Sequence, residues 1–301
     1  MSVNVLSLFD GISCGQVAFQ KAGIDVHIYI ASEINKDSMQ VAMENFPRTC
    51  ELGSVTDLTS DVLKNLLPKI DFLIGGSPCQ DLSKAKSDRQ GLDGSRSILF
   101  FEYARILKWI QENNNPDVKF LLENVVADPE TVAIMTETLG AQQPTLIDSI
   151  NFVPQRRKRL YWTNINDGVI PTPPPKNVAL RDIIYDNNYK NFKDERIEKS
   201  KVFTKHYVKW DISQKGHYSQ QDRAYYLDGS MCTMMKQQAL SKLNIYLGDD
   251  LYRRCHPIEG ERLQGLPDNY TSCIKSDNKR LGLCGDGWTV DVIAYILSFS
   301  K

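Results

Sequence analysis

Between residues 3 and 139 short apolar runs alternate with segments that carry helix signals, and few architectures accept that alternation. Val5-Leu6-Ser7-Leu8-Phe9, Val26-His27-Ile28-Tyr29-Ile30-Ala31, Ile70 to Ile74 and Phe120-Leu121-Leu122 read as buried strands. Gln16 to Ala22, Lys36 to Asn45, Asp61 to Leu67, Ile98 to Glu112 and Pro129 to Leu139 read as helices, the first ended by Gly23 and the second stopped before Pro47. The spacing predicts an α/β fold: a Rossmann-like, mostly parallel sheet with helices on both faces. In such sheets ligands bind beyond the carboxyl ends of the strands. Asp10, Glu33, Cys79 and Glu123 each follow a predicted strand at that end, so four polar residues converge on one rim.

The chain has 301 residues, enough for one large domain and a smaller one. No apolar run approaches ~18 residues, so no membrane span is expected. The start lacks a basic region followed by an apolar stretch, so no signal peptide is expected, and a strand so early suggests that the mature protein begins here. Seven scattered cysteines, none in C-x-x-C spacing, fit reduced thiols in a cytoplasm rather than zinc or disulfides; no metal is expected. Net charge is −1, which does not advertise a nucleic-acid binder, but the distribution is uneven. Gln155-Arg156-Arg157-Lys158-Arg159 runs straight into Leu160-Tyr161-Trp162, which puts basic residues at a strand and not on a loose tail. Residues 186–215 carry eight Lys/Arg against five Asp/Glu, a pattern a solvated helix face would also show.

Pro171-Thr172-Pro173-Pro174-Pro175 cannot be helix or central sheet and marks a boundary. Residues 176–252 are polar, aromatic-rich and poorly periodic, order returns from Arg253 to Tyr270, and Trp288 to Phe299 reads as a final amphipathic helix. The strand Phe72-Leu73-Ile74 feeds into Gly75-Gly76-Ser77-Pro78-Cys79, a tight turn that holds up a thiol. A cysteine so placed is a candidate nucleophile, although the commoner fate of a lone cysteine is a small buried hydrophobe.

In order along the chain stand Phe9-Asp10-Gly11, Glu33, Ser77-Pro78-Cys79-Gln80, Ile98-Leu99-Phe100-Phe101 and Glu123-Asn124-Val125. Gln155-x-Arg157-x-Arg159, Glu261-Arg262-Leu263-Gln264-Gly265-Leu266-Pro267 and Gly285-Asp286-Gly287-Trp288 follow. With these eight motifs the chain resembles the cytosine-C5 DNA methyltransferases, bacterial and phage members above all, over nearly its whole length. Its Gly-Asp-Gly-Trp-Thr-Val ending also resembles the mammalian de novo enzymes. The resemblance implies transfer of a methyl group from S-adenosylmethionine to C5 of a cytosine flipped out of duplex DNA, with S-adenosylhomocysteine as the other product. Cys79, after Pro78, would add to C6 of the base. Glu123 would act as general acid at N3 and the amine, with Asn124 bracing its loop, and Arg159 together with Arg157 would face O2.

The resemblance also assigns the cofactor site. Phe9 would pack on the adenine, and the loop Asp10-Gly11-Ile12-Ser13-Cys14-Gly15 would hold the methionine part. Glu33, followed by Ile34, would take the ribose hydroxyls. Pro78, Leu99, Gly287 and Trp288 would close the pocket. The family's usual Gly-Asp-hydrophobic is here Gly53-Ser54-Val55, so adenine selection would rest on Ser54 and the Val55 backbone. Gln80, Ser83 and Arg96, in or beside the polar loop after Cys79, would contact DNA. In the smaller domain Arg223 would read a base, Thr233 would hold a phosphate and Gln220 would fill the hole left by the flipped nucleotide. Arginine suits guanine's major-groove edge, so a guanine in the recognition site is expected. A catalytic domain of 1–165 completed by 277–301, and a target-recognition domain of 166–276, are expected. So are a monomer in the cytoplasm of a prokaryotic or phage-infected cell and no membrane partner, with a cognate restriction endonuclease left open. A tRNA cytosine-5 methyltransferase and a non-catalytic DNA- or cofactor-binding relative stay as alternatives.

Overall fold

The computed structural model describes residues 2–77, 98–211, 222–235 and 243–300. They gather into two compact units, one of Met1–Ile147, Lys158–Pro173 and Val292–Lys301, the other of Asp148–Arg157 and Pro174–Asp291.

The first unit is built on β1 (Val3–Leu8), β2 (Val26–Ser32), β3 (Cys50–Glu51), β4 (Phe72–Gly76), β5 (Lys119–Val125), β6 (Thr145–Asp148) and β7 (Lys158–Thr163). They form one sheet in the order β3-β2-β1-β4-β5-β7-β6. β1 pairs in parallel with β2 and β4, and β4 with β5, while β7 runs antiparallel to β5. The sheet is thus mixed, with an expected parallel part and a reversed edge. Strand order turns back between β1 and β4, which opens a crevice at their carboxyl ends. The helices are α1 (Cys14–Ala22), α2 (Lys36–Asn45), α3 (Ser60–Leu66), α4 (Ile98–Asn113) and α5 (Pro129–Leu139).

Two glycines show how close the layers lie on opposite faces of this sheet. A Cβ on Gly15 would stand 2.6 Å from both Ile74 Cδ1 and the Tyr29 hydroxyl, so α1 rests directly on one face. A Cβ on Gly75 would stand 2.9 Å from the Leu8 carbonyl and 2.9 Å from the Tyr103 ring of α4, on the other. Leu6, Leu8, Leu73, Phe100, Tyr103 and Leu122 belong to one buried cluster there, and full burial of each such side chain contributes on the order of 1.5–3 kcal/mol.

In the second unit, residues with no periodic signature form a second sheet. Its strands are β8 (Asn191–Phe192), β9 (Val202–Phe203), β10 (Tyr207–Lys209), β11 (Arg223–Tyr226), β12 (Asn244–Gly248) and β13 (Leu251–Arg254), in the order β8-β13-β12-β11-β10-β9. The short α6 (Glu195–Ser200) supplies Ile197 to a cluster with Trp210, Ala224 and Tyr252. α7 (Pro257–Leu263) and α8 (Asp277–Asp286) follow, the latter unforeseen in the sequence. Arg253 and Glu259 form an ion pair with no exposed side-chain surface, at 2.6 Å. Glu259 also accepts the His256 backbone N–H, which fixes the start of α7. The expected final helix is α9 (Val290–Leu297), with one 3₁₀ turn after it.

Candidate active site

At the end of β5 the side chains of Glu123 and Arg159 meet: Arg159 Nε lies 2.7 Å from Glu123 Oε1. The antiparallel register sets Arg159 opposite Val125, two residues past Glu123, so both project from one face of the strand pair. Their side chains are only 15% and 11% exposed, which shields the pair from solvent screening and makes its geometry strict. Asn124 points the other way along β5. Its Nδ2 donates to Ser77 Oγ at 3.0 Å, and its Oδ1 accepts the Val125 N–H. Ser77 is buried just past β4, whose Gly76 is register partner to Glu123.

Arg157, two residues before Arg159, does something else. Its Nη1 donates to the Met234 and Gly285 carbonyls, and its Nη2 to that of Gly287. It is 6% exposed and belongs to the second unit, whereas Arg159 belongs to the first. Gln155 is likewise structural: its Nε2 donates to the Leu263 carbonyl and its Oε1 accepts the Met234 N–H. The basic run therefore divides by position, and the structure brings Arg159, not Arg157, to Glu123.

The crevice at the end of β1 is lined by a tense loop. Phe9 and Ser13 hold φ of 57°, and Gly11 of 61°, all in the left-handed region. Such backbone on ordinary residues costs on the order of 1 kcal/mol each and persists only where neighbours enforce it. Asp10 is the enforcer. Its carboxylate accepts hydrogen bonds from the hydroxyls of Ser7, Tyr29 and Ser13 and is turned into the protein. Burial pushes its pKa up, the three hydroxyls oppose that, and Glu33 adds to it. Asp10 thus shapes the loop from beneath.

Glu33 ties the loop to β2. Its Oε2 accepts the Gly11 N–H, and its Oε1 those of Ile34 and Asn35, each at 2.8 Å. Three of about four lone-pair sites are used, which leaves acceptor capacity for a ligand hydroxyl on a carboxylate already aimed. Ile12 and Val55 are buried, Leu99 packs against the core, and Ile34 is 74% exposed, an apolar platform beside Glu33. Ser54 spends its hydroxyl on the Thr56 N–H and hydroxyl, while Ser32 holds the Gly53 carbonyl. A strained glycine-bearing loop, a fixed carboxylate and an exposed apolar side chain together fit an adenosyl-type ligand.

One residue of this rim escaped the sequence reading. Glu51, at the end of β3, has both carboxylate oxygens buried without a hydrogen-bond partner among the described residues. Burial first, then the charges of Asp10 and Glu33, push its pKa up to about 7. Only the β3 register, which sets Glu51 beside Ala31, could have revealed it, and a two-residue strand has no sequence signature.

Gly287 and Trp288 lie in the second unit, Gly287 buried and Trp288 half-buried. There the Thr233 hydroxyl donates to the Arg156 carbonyl, and the Arg223 guanidinium lies 4.6 Å from the centre of the Tyr207 ring. Pro78, Cys79, Gln80, Ser83, Arg96 and Gln220 lie outside the described residues. Among the described residues no cluster of His, Cys, Asp or Glu could hold a metal ion, and no helix is long and apolar enough to cross a membrane.

The sequence profile of the C-5 cytosine-specific DNA methylases matches residues 3–299. The chain belongs to that family. It is 28% identical to the type II methyltransferase M.FnuDI of Fusobacterium nucleatum, over 98% of this chain and 93% of that one. To the orphan methyltransferase M.SPRI of Bacillus phage SPR it is 33% identical over 56% of this chain and 39% of the phage protein. It is 36% identical to the DNA (cytosine-5)-methyltransferase DRM2 of Arabidopsis thaliana, but over 36% of this chain and 19% of the plant protein. The last two matches thus span well under two thirds of those relatives. Among solved structures the fold is similar to S. pombe Dnmt2 (TM-score 0.69, 18% identity, 100% and 98% of the two chains). It is equally similar to Entamoeba histolytica EhMeth (TM-score 0.69, 16% identity, 100% and 98%). The chain is therefore a cytosine-C5 methyltransferase by family, on the α/β fold expected.

Proposed function

We propose that the chain methylates C5 of a cytosine in duplex DNA through a covalent adduct between Cys79 and C6 of the base. The observation that carries this reading is the shielded Glu123–Arg159 pair at the end of β5, beside a strand end whose Ser77 is bonded to Asn124. Ser77 stands two residues before Cys79 in the sequence.

The chemistry explains the pairing. C5 of cytosine is a weak nucleophile. When the Cys79 thiolate adds to C6, the ring becomes an enamine and its C5 can attack an electrophilic carbon. Negative charge that builds on the ring is met by Glu123 as proton donor toward N3 and the amine, and by Arg159 at O2. Arg159 also holds Glu123 in place, so one guanidinium both orients the acid and faces the base. Water takes H5 as a base, the C5–H electrons re-form the C5–C6 double bond, and the C6–S bond breaks to release the Cys79 thiolate. Asn124 ties the end of β5, which carries Glu123, to Ser77 just past β4.

S-adenosylmethionine supplies the methyl group when bound. Phe9, Gly11, Ile12, Glu33, Ile34 and Val55 would hold it in the crevice of the first unit, Asp10 would preserve the loop's shape, and Ser54 stands where the family's aspartate usually stands. The family resemblance also assigns Gly287 and Trp288 to cofactor binding. Arg223, Thr233, Gln220, Gln80, Ser83 and Arg96 would contact DNA, the first by reading a base, and the target cytosine must be extruded from the duplex to reach a thiol. We place Arg157 as a brace for the Met234 and Gly285–Gly287 segments.

The test has two arms. First, sequencing of methylated DNA from a host that expresses the chain identifies the target motif. Second, a duplex carrying 5-fluorocytosine at that motif is incubated with the protein and cofactor. A covalent complex is expected, because fluorine cannot leave as a proton and elimination stops, and Cys79→Ser should bind the duplex without forming it. No adduct with the wild-type chain would sink the covalent mechanism. Faster methyl transfer to tRNA than to duplex DNA would sink the substrate assignment.

A further inference from the structure

In the sheet of the second unit, Tyr207 on β10 faces Tyr225 on β11, and Lys209 faces Arg223. Tyr207 and Arg223 are therefore diagonal neighbours on one face of the strand pair. The Arg223 guanidinium carbon lies 4.6 Å from the Tyr207 ring centre, within cation–π range. Tyr207 is itself propped by Tyr225, edge to face at 5.6 Å and 64°. Tyr225 is 4% exposed, so the prop is rigid. Its hydroxyl lies close enough to the Cys232 thiol and the Arg223 guanidinium for both to bear on its ionisation.

The backbone of Arg223 is pinned on both sides, by Asn244 Nδ2 on its carbonyl and by the strand pairing to Lys209. Its side chain is held differently. Arg223 Nε is buried and has no acceptor among the described residues. The rest of the guanidinium is placed by two tyrosines, the Tyr207 ring beneath it and the Tyr225 hydroxyl beside it, which its positive charge and hydrogen bonding act on.

We propose that Tyr207 is a positioning residue for sequence recognition: its ring, propped by Tyr225, fixes the Arg223 guanidinium for a guanine edge. The inference rests on the reading of Arg223 as a base-contacting residue. An arginine that reads guanine bidentately must present two donors in a fixed plane, and a flexible side chain loses rotamer freedom on docking. A ring that holds the guanidinium before DNA arrives removes much of that loss, and the benefit appears as discrimination at one base pair.

The probes are duplexes carrying the motif methylated by the wild-type chain, and variants in which each G·C pair is exchanged in turn. Discrimination is the ratio of kcat/KM on intact and exchanged duplexes. Arg223→Ala should relax it at one pair. Tyr207→Leu should relax it at the same pair by roughly three- to tenfold, the size of a cation–π contact, with the change carried by KM, and Tyr207→Phe should match wild type. A series of ring-fluorinated phenylalanines at position 207 keeps the shape while it weakens the π face, so discrimination should fall stepwise with fluorine number. Packing alone would not follow that order. If Arg223→Ala relaxes one pair while the leucine variant and the fluorinated series discriminate like wild type, the positioning role is overturned and the arginine reading stands. If Arg223→Ala leaves every pair unchanged, the arginine reading falls and takes the inference with it.

Discussion

Replacing Glu51 with glutamine should make the protein more stable at pH 8 and leave it unchanged near pH 4.5. The folded carboxyl titrates at about 7 against 4.5 for an ordinary glutamate, because it is buried and because Asp10 and Glu33 repel its charge. The native state therefore keeps a proton that the unfolded chain has already lost between those two values. Stability must fall as pH rises through that window, and the full cost is present above about pH 7. The difference between 4.5 and about 7 corresponds to about 3.4 kcal/mol for a carboxyl fully removed from solvent. Glu51 is only partly buried, and solvent screening reduces this to on the order of 1–2 kcal/mol. Glutamine keeps the size and cannot ionise, so the variant should lose this part of the slope. Urea unfolding of both proteins at pH 5, 6, 7 and 8 measures it. Trp109 and Trp162 report the first unit when Trp210 and Trp288 are replaced by phenylalanine in both backgrounds. Equal slopes for the two proteins would show that Glu51 does not titrate in the folded state as its surroundings require.

Three further outcomes are expected. Arg159→Ala should lower kcat for methyl transfer by roughly 10²–10³-fold, the usual loss for one donor aimed at developing charge, and Arg159→Lys should recover little because a point charge cannot both hold Glu123 and face the base; rapid-quench assays on the target duplex read this. Arg157→Ala should cost about 3 kcal/mol of unfolding free energy, since three buried carbonyls lose a charged donor at once, and an Arg157→Ala protein that stays as stable as wild type but loses turnover would return Arg157 to the chemistry. Ser54→Asp restores the residue usual in the family at a position where aspartate also caps, and calorimetry should show tighter S-adenosylmethionine binding with unchanged unfolding.

The methylase family could be read from motifs in order, but the division of labour within those motifs could not. Arg157 and Arg159 look alike in the sequence, and the family resemblance lets both face the base. Strand register separates them: one guanidinium is taken by three carbonyls, the other meets a carboxylate 36 positions earlier in the chain. Asp10 looked like a cofactor ligand because it sits in the right loop, yet its three hydroxyl partners include Tyr29, which arrives from the next strand. Glu51 carried no signal at all.

The sequence by itself determined the five helices of the first unit and its strands β1, β2, β4 and β5, but not β3 or β6. α2 and α5 span the residues their caps and period predicted, because helix signals act within a few residues of the chain. It also determined the motif order that places the chain among the cytosine-C5 methylases, since chemistry at a strand end demands particular residue types. Tertiary structure alone decided the second sheet, whose strands of two to five residues are too short to show a period and pair across up to some 60 residues. It alone decided which charges face each other, because burial and repulsion depend on distance in space. That is why Glu51, Arg157 and Tyr207 acquire their meaning only once the chain is folded.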